Sequence, residues 1–173
     1  MDTNSLDKQF WGLVAINIAI FVLAFGTQAL SGISVESDIS LSRAFSDNFL
    51  TLVGGFNAFA VNSGFLWLLI TSNFVHFDLF HIAVNMYAFF VLSQAVLTFY
   101  RKEYLLITYV LGGLASSLAT LLVFNLTGEY ALSIGASGSI FALLGLLLGG
   151  TLKNRDLGTN LPINLTSLLI PIV

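Results

Sequence analysis

A serine set among small residues is the first feature of this chain that could do chemistry. Gly135-Ala136-Ser137-Gly138 opens an otherwise apolar segment that runs to about Leu152. Flanking glycines let a second backbone approach the hydroxyl and leave N–H groups free near a helix N-terminus, which suits a nucleophile. The same residues also suit packing, because Gly138, Ala142, Gly145 and Gly149 recur three or four apart and would leave one helix face smooth. On this stretch alone both readings stand. A second stretch, from His76 to Asn85, adds polar groups in an apolar setting. His81 and Asn85 are four apart and share one helix face. Imidazole and carboxamide are costly inside a membrane segment and usually point at a partner or a water-filled cavity. They could simply bond neighbouring helices. They could also donate to an oxyanion forming at a carbonyl attacked by Ser137. Both lie in the outer half of their span, at a depth similar to that of Ser137, a match that packing does not require. Metal binding is the weakest reading: His76 and His81 are five apart and diverge on a helix, H-E-x-x-H is absent, and only Asp78 is near.

The elements that must position these groups belong to lipid. Hydrophobic residues make up 57% of the 173 and charged residues 9%, against roughly 25% charged in a typical soluble domain. Net charge is −3 with no basic block, so nucleic acid is not expected as a partner. The absence of cysteine excludes a disulfide framework, a thiol nucleophile and a Cys-type zinc site. Charge-free runs predict membrane helices over Phe10–Leu30, Leu79–Tyr100, Tyr104–Gly128 and Tyr130–Leu152, with a last one beginning at Leu157. The first run is long for a signal-peptide core and no A-x-A site follows it, so it reads as an uncleaved span.

Asn48–Phe77 is also free of charge, but Gly54-Gly55, Asn57, Asn62, Ser63-Gly64 and Asn73 interrupt it. Irregular backbone cannot stand unsatisfied in lipid, so this stretch reads as a long loop with short helical pieces. Trp11 and Trp67 would be interfacial anchors. With that partition, Lys8, Arg101, Lys102, Lys153 and Arg155 fall on one side and only Arg43 on the other. Basic residues near span ends favour the cytoplasm, which puts the N-terminus inside, in the cell membrane, and Ser137 towards the outer face.

These residues carry a family resemblance. The set H-x4-H-x3-N (His76, His81, Asn85), followed by G-x-S-G-x6-G (Gly135, Ser137, Gly138, Gly145), resembles the rhomboid intramembrane serine proteases. Trp67–His76, WLLITSNFVH, is similar to the end of that family's first loop, although Leu68 stands where arginine often follows the tryptophan. The resemblance implies an all-α polytopic bundle, with about five transmembrane segments present and a long membrane-associated first loop. It implies that Ser137, at the start of the fourth helix, is the nucleophile. His81 and Asn85 would stabilise the oxyanion with the Ser137 N–H, His76 would sit at the rim, and Phe141 would pack against the catalytic base. Substrates would be transmembrane segments of other proteins, cut near the outer face, with no metal or cofactor.

One departure matters. The family's base is a histidine on a sixth helix, and no histidine follows His81 here. Serine is a weak nucleophile without an adjacent base. Residues 1–173 are therefore expected to be a single rhomboid-like membrane domain, C-terminally incomplete or naturally truncated, and inactive as given. Two alternatives differ in class: an inactive relative that binds transmembrane clients, and a small transporter or channel subunit whose pathway Asn17, Asn57, Asn62 and His81 would line.

Overall fold

The computed structural model describes residues 8–30, 49–129 and 133–156. Four long helices dominate it. They are α1 (Lys8–Leu30), α4 (Leu79–Phe99), α5 (Glu103–Thr127) and α6 (Ser137–Asp156), with α2 (Ala58–Asn62), α3 (Leu68–Thr71) and a 3-10 turn (Ser72–Phe74) between the first two of them. Lys8–Gly26, Leu79–Phe99 and Glu103–Thr127 are long and apolar enough to cross a membrane, and Ser137–Leu152 is a shorter apolar helix. Their outward faces are apolar too: Val22, Leu23, Phe25, Leu111, Leu122 and Leu126 are exposed. Helices hydrophobic all round need lipid, and the chain is a helical polytopic membrane bundle. Residues 31–48 and the last span expected from Leu157 lie outside the described residues.

The stretch 49–77 is indeed a loop of short helical pieces rather than a span. Its backbone explains why. Gly54 (φ 107°) and Gly64 (φ 104°) reverse the chain where a side chain would be strained. The polar groups so exposed find partners inside the protein, as lipid requires. Gly55 N–H donates to Leu50 C=O (2.6 Å), Thr71 Oγ1 to Gly54 C=O (2.7 Å), and the Asn57 side chain caps α2 through the Ala60 N–H (3.1 Å). Phe56, Val61 and Leu68 are buried against Leu121 and Phe124 of α5, so the loop is packed onto the bundle.

The main core joins α1, α4, α5 and α6 through Phe10, Phe89, Val96, Tyr109, Leu143 and Leu147. Asn17 is fully buried and donates to Leu13 C=O (2.8 Å) and Tyr109 Oη (3.0 Å), tying α1 to α5. Tyr100 donates to Leu146 C=O (3.0 Å), so the end of α4 lies beside the later part of α6 and the two helices run parallel. The packing reading of the glycine stripe holds for its first half. A Cβ on Gly112 would collide with Ala142 Cβ, and one on Gly138 would lie 2.5 Å from Ser116 Cβ. Gly145 and Gly149, by contrast, have nothing within 4 Å.

The serine helix is shorter than the charge-free run predicts. It begins at Ser137, not near Tyr130, and residues 133–136 are irregular. The reason is local: Gly135 has φ 102°, and Phe56 and Ser133 form an isolated antiparallel bridge (N···O 3.2 Å) that replaces helical bonding.

The close approach of α5 and α6 generates a test. Gly112→Ala should destabilise the protein in detergent by about 1–3 kcal/mol, the usual cost of overpacking. Adding Ala142→Gly should recover stability relative to Gly112→Ala alone, because it removes the atom that is struck. Thermal unfolding of the two variants measures this; absence of recovery would mean the helices are further apart.

Candidate active site

Asp78 starts the helix that carries two of the three proposed site residues. Its extended backbone (φ −150°, ψ 176°) and its Oδ1, which accepts the His81 N–H at 2.6 Å, make it the N-cap of α4. That fixes His81 and Asn85 in the first two turns. Asn85 is buried and uses one side-chain N–H on His81 C=O (2.9 Å), leaving its second donor for another partner.

His76 precedes this helix, delivered by the 3-10 turn and the extended Val75. Its Nδ1 lies 3.3 Å from Phe74 C=O; a carbonyl can only accept, which assigns the proton to Nδ1. Nε2 is then a lone pair, and it accepts the Ala136 N–H (3.4 Å). Ser72 C=O accepts the Gly135 N–H (2.9 Å). The two amides just before Ser137 are thus both held by the first loop. Burial, then the facing His81 ring, hold His76 well below the usual histidine range, at about 4, against the pull of Phe74 C=O.

His81 stands against the same turn, beside His76. Its Nδ1 accepts the Phe77 N–H (3.4 Å), which puts its proton on Nε2. A Cβ on Gly135 would lie 2.8 Å from both His81 Cε1 and Nε2. The two imidazoles meet edge to face with centroids 5.1 Å apart. Gly135 is therefore demanded twice, by its φ and by the ring over it.

Ala136 C=O accepts the Ile140 N–H (2.9 Å), so Ser137 is the first residue of α6. Its N–H and those of the next two residues are helix-end donors with partial positive charge. Ser137 is exposed to a cavity of about 200 Å³ between α4 and α6. Asn85 lines the same cavity, whose other walls are largely apolar: Val84, Ala88, Val91, Ile140, Phe141 and Leu144. Gly138 packs beside Ser116, eleven residues before the end of α5, which sets the serine about 16 Å along the helix axis from Thr127. The serine thus lies alongside the apolar length of α5 rather than at its end.

Of the sequence-predicted site, Ser137 and Asn85 line one cavity; His81 is not among its lining residues and packs over Gly135, two residues before the serine. Phe141 is 70% exposed and lines the cavity. His76 is not at a rim: it is 3% exposed and holds Ala136. The clamp by Ser72 C=O has no side-chain signature and was not legible in sequence. The asparagines of the transporter alternative are dispersed: Asn17 bonds Tyr109, Asn57 caps α2, and Asn62 bonds Asn125 (2.8 Å). Among the described residues no cluster of three His, Cys, Asp or Glu is placed to hold a metal ion.

Comparison with known proteins bears on this geometry. The rhomboid domain family model matches residues 63–173, which include every residue of the site. The chain belongs to the rhomboid family. Rhomboid protease GluP of Bacillus subtilis (strain 168) is 30% identical over 149 residues, 83% of this chain and 26% of that protein. The mitochondrial presenilin-associated rhomboid-like protein of Bos taurus is 34% identical over 76 residues, 44% of this chain and 20% of that one. Rhomboid-like protease 3 of Toxoplasma gondii is 30% identical over 107 residues, covering 61% and 39%. The chain thus spans between a fifth and two fifths of the length of these relatives. No solved structure matches. As a rhomboid with three helices long and apolar enough to cross a membrane, the chain is an integral membrane protein.

The double demand on Gly135 is testable. Gly135→Ala should cost on the order of 1–3 kcal/mol from the backbone conformation alone. It should also shift the His81 ring resonances, because the methyl group displaces the imidazole. Unchanged stability and unchanged His81 resonances would show that the turn is looser than drawn.

Proposed function

We propose that this rhomboid is an intramembrane serine endopeptidase that cuts transmembrane segments of other membrane proteins near the outer face. The observation that carries the reading is the α4–α6 cavity, apolar enough to receive a stretch of membrane segment and lined by Ser137 and Asn85. Ser137 is the nucleophile. The oxyanion receives the Ser137 N–H, the free donor of Asn85 and the Nε2–H of His81, which supports the tetrahedral intermediate as charge develops. The placement of basic residues supports a cytoplasmic N-terminus, and the cell membrane is the proposed location. No metal or cofactor takes part in this scheme.

The general base is the demanding part. The sequence holds two histidines, and both ring acceptors are engaged, His76 Nε2 by Ala136 and His81 Nδ1 by Phe77. Loss of the base alone costs about a million-fold in a soluble serine protease. With both histidines so engaged, no turnover is expected unless another group takes the serine proton, and among the described residues none of the hydrogen bonds at Ser137 supplies one. The same engagement of both histidines favours one second reading, a non-cleaving rhomboid that holds a transmembrane client in the cavity.

The test is cleavage of a co-reconstituted transmembrane substrate. Ser137→Ala should abolish turnover. Asn85→Ala should lower kcat by about a hundred- to a thousand-fold with KM nearly unchanged, since the donor acts in the transition state. A raised KM with unchanged kcat would make Asn85 a binding residue. Cleavage that survives Ser137→Ala would refute the proposal; saturable binding without cleavage would establish the second reading.

A further inference from the structure

The turn that presents Ser137 depends on an acceptor that a proton can remove. Residues 133–136 are not helical, and the Ala136 N–H at their end rests on a side-chain nitrogen, His76 Nε2. Among the described residues the other backbone hydrogen bonds of this turn use carbonyls: Gly135 N–H to Ser72 C=O, Phe56 N–H to Ser133 C=O and Ile140 N–H to Ala136 C=O. Carbonyls keep their lone pairs at any ordinary pH; an imidazole does not.

We infer that His76 is a positioning residue for Ser137, acting as a neutral-only latch that holds the Ala136 amide and lets the serine turn go when Nε2 is protonated. Since Nδ1–H is committed to Phe74 C=O, the only site left for a second proton is Nε2. There the new N–H would point at the Ala136 N–H, donor against donor. The bond is lost and a buried positive charge is created beside the His81 ring, 5.1 Å away between centroids. His81 is the titratable group that faces His76 from α4. Asp78 is turned to the His81 N–H, and Gly135 and Ala136 bring no ionisable side chain. Among the described residues no carboxylate is placed to offset the charge.

The direction of the pH effect follows from burial. Folded His76 resists protonation down to about 4, whereas an unfolded histidine takes a proton near 6.5. From about one pH unit above 6.5 the residue contributes no pH dependence, because it is neutral in both states. As pH falls from 6.5 the unfolded chain gains the proton first and stability declines. Near pH 4 the folded chain takes it up as well, and the latch opens.

The readout need not be catalysis. Although the inference gives its role within the proposed serine-protease site, hydrogen exchange at the Ala136 amide reports the latch whether or not Ser137 cuts anything. In the full chain in bicelles, Ala136 protection, corrected for intrinsic exchange, should be pH-independent above about 7.5 and fall at least ten-fold by the end of the His76 titration. His76→Gln, whose Oε1 accepts without titrating, should keep the protection and lose the acid transition. His76→Ala should lose protection at every pH, and if it does not fold, the Gln variant still decides. Protection that persists through the His76 titration, or an acid loss that His76→Gln shares, would overturn the inference. Failure of the protease reading would look different: no cleavage at any pH, with Ala136 protection still following His76.

Discussion

Lipid does not hydrogen-bond a peptide, and the whole site hangs on that constraint. A serine at the start of a helix, alongside the apolar length of α5, needs the preceding turn to leave helical geometry. That turn must then find every partner within the protein. Here the first loop supplies them: Ser72 and Phe56 through their backbones, and His76 through its ring. The loop in turn is held by its burial against α5 and by Thr71 on Gly54. Remove the loop and Ser137 would be a residue of an ordinary span.

The same turn resolves the apparent conflict over its glycines. Gly138 faces α5, where Ser116 leaves it no room for a side chain, while Ser137 next to it faces the cavity with Asn85. Packing and the proposed chemistry use neighbouring faces, about 100° apart, at the start of one helix. Gly135 serves neither: it is a hinge under His81, and its φ of 102° is what turns the chain into α6.

Much of this was legible in the sequence, for physical reasons that differ by element. Charge-free runs bounded by Asp78, Arg101 and Glu103 mark α4 and α5 to within a residue or so, because water and lipid sort charges sharply. The glycines and asparagines of 48–77 ruled out a span, and the loop's short helical pieces follow from them. The start of α6 was missed by several residues, since Tyr130–Ile134 are apolar or small and hydropathy cannot see a hinge. The roles of His76 and Ser72 depend on contacts made across sixty residues of sequence, which no local pattern encodes.

The central claim, that Ser137 and its donors are built to hold a tetrahedral adduct, can be tested apart from the general base. A base governs how fast an adduct forms, whereas its equilibrium stability reports the nucleophile and the oxyanion donors. Boron-11 NMR of a transmembrane peptide ending in a boronic acid, bound to this chain in bicelles, reads that equilibrium directly. The account predicts a shift from trigonal to tetrahedral boron that disappears in Ser137→Ala and weakens in Asn85→Ala. Boron that stays trigonal when the peptide is bound, or a tetrahedral signal indifferent to Ser137→Ala, would contradict it.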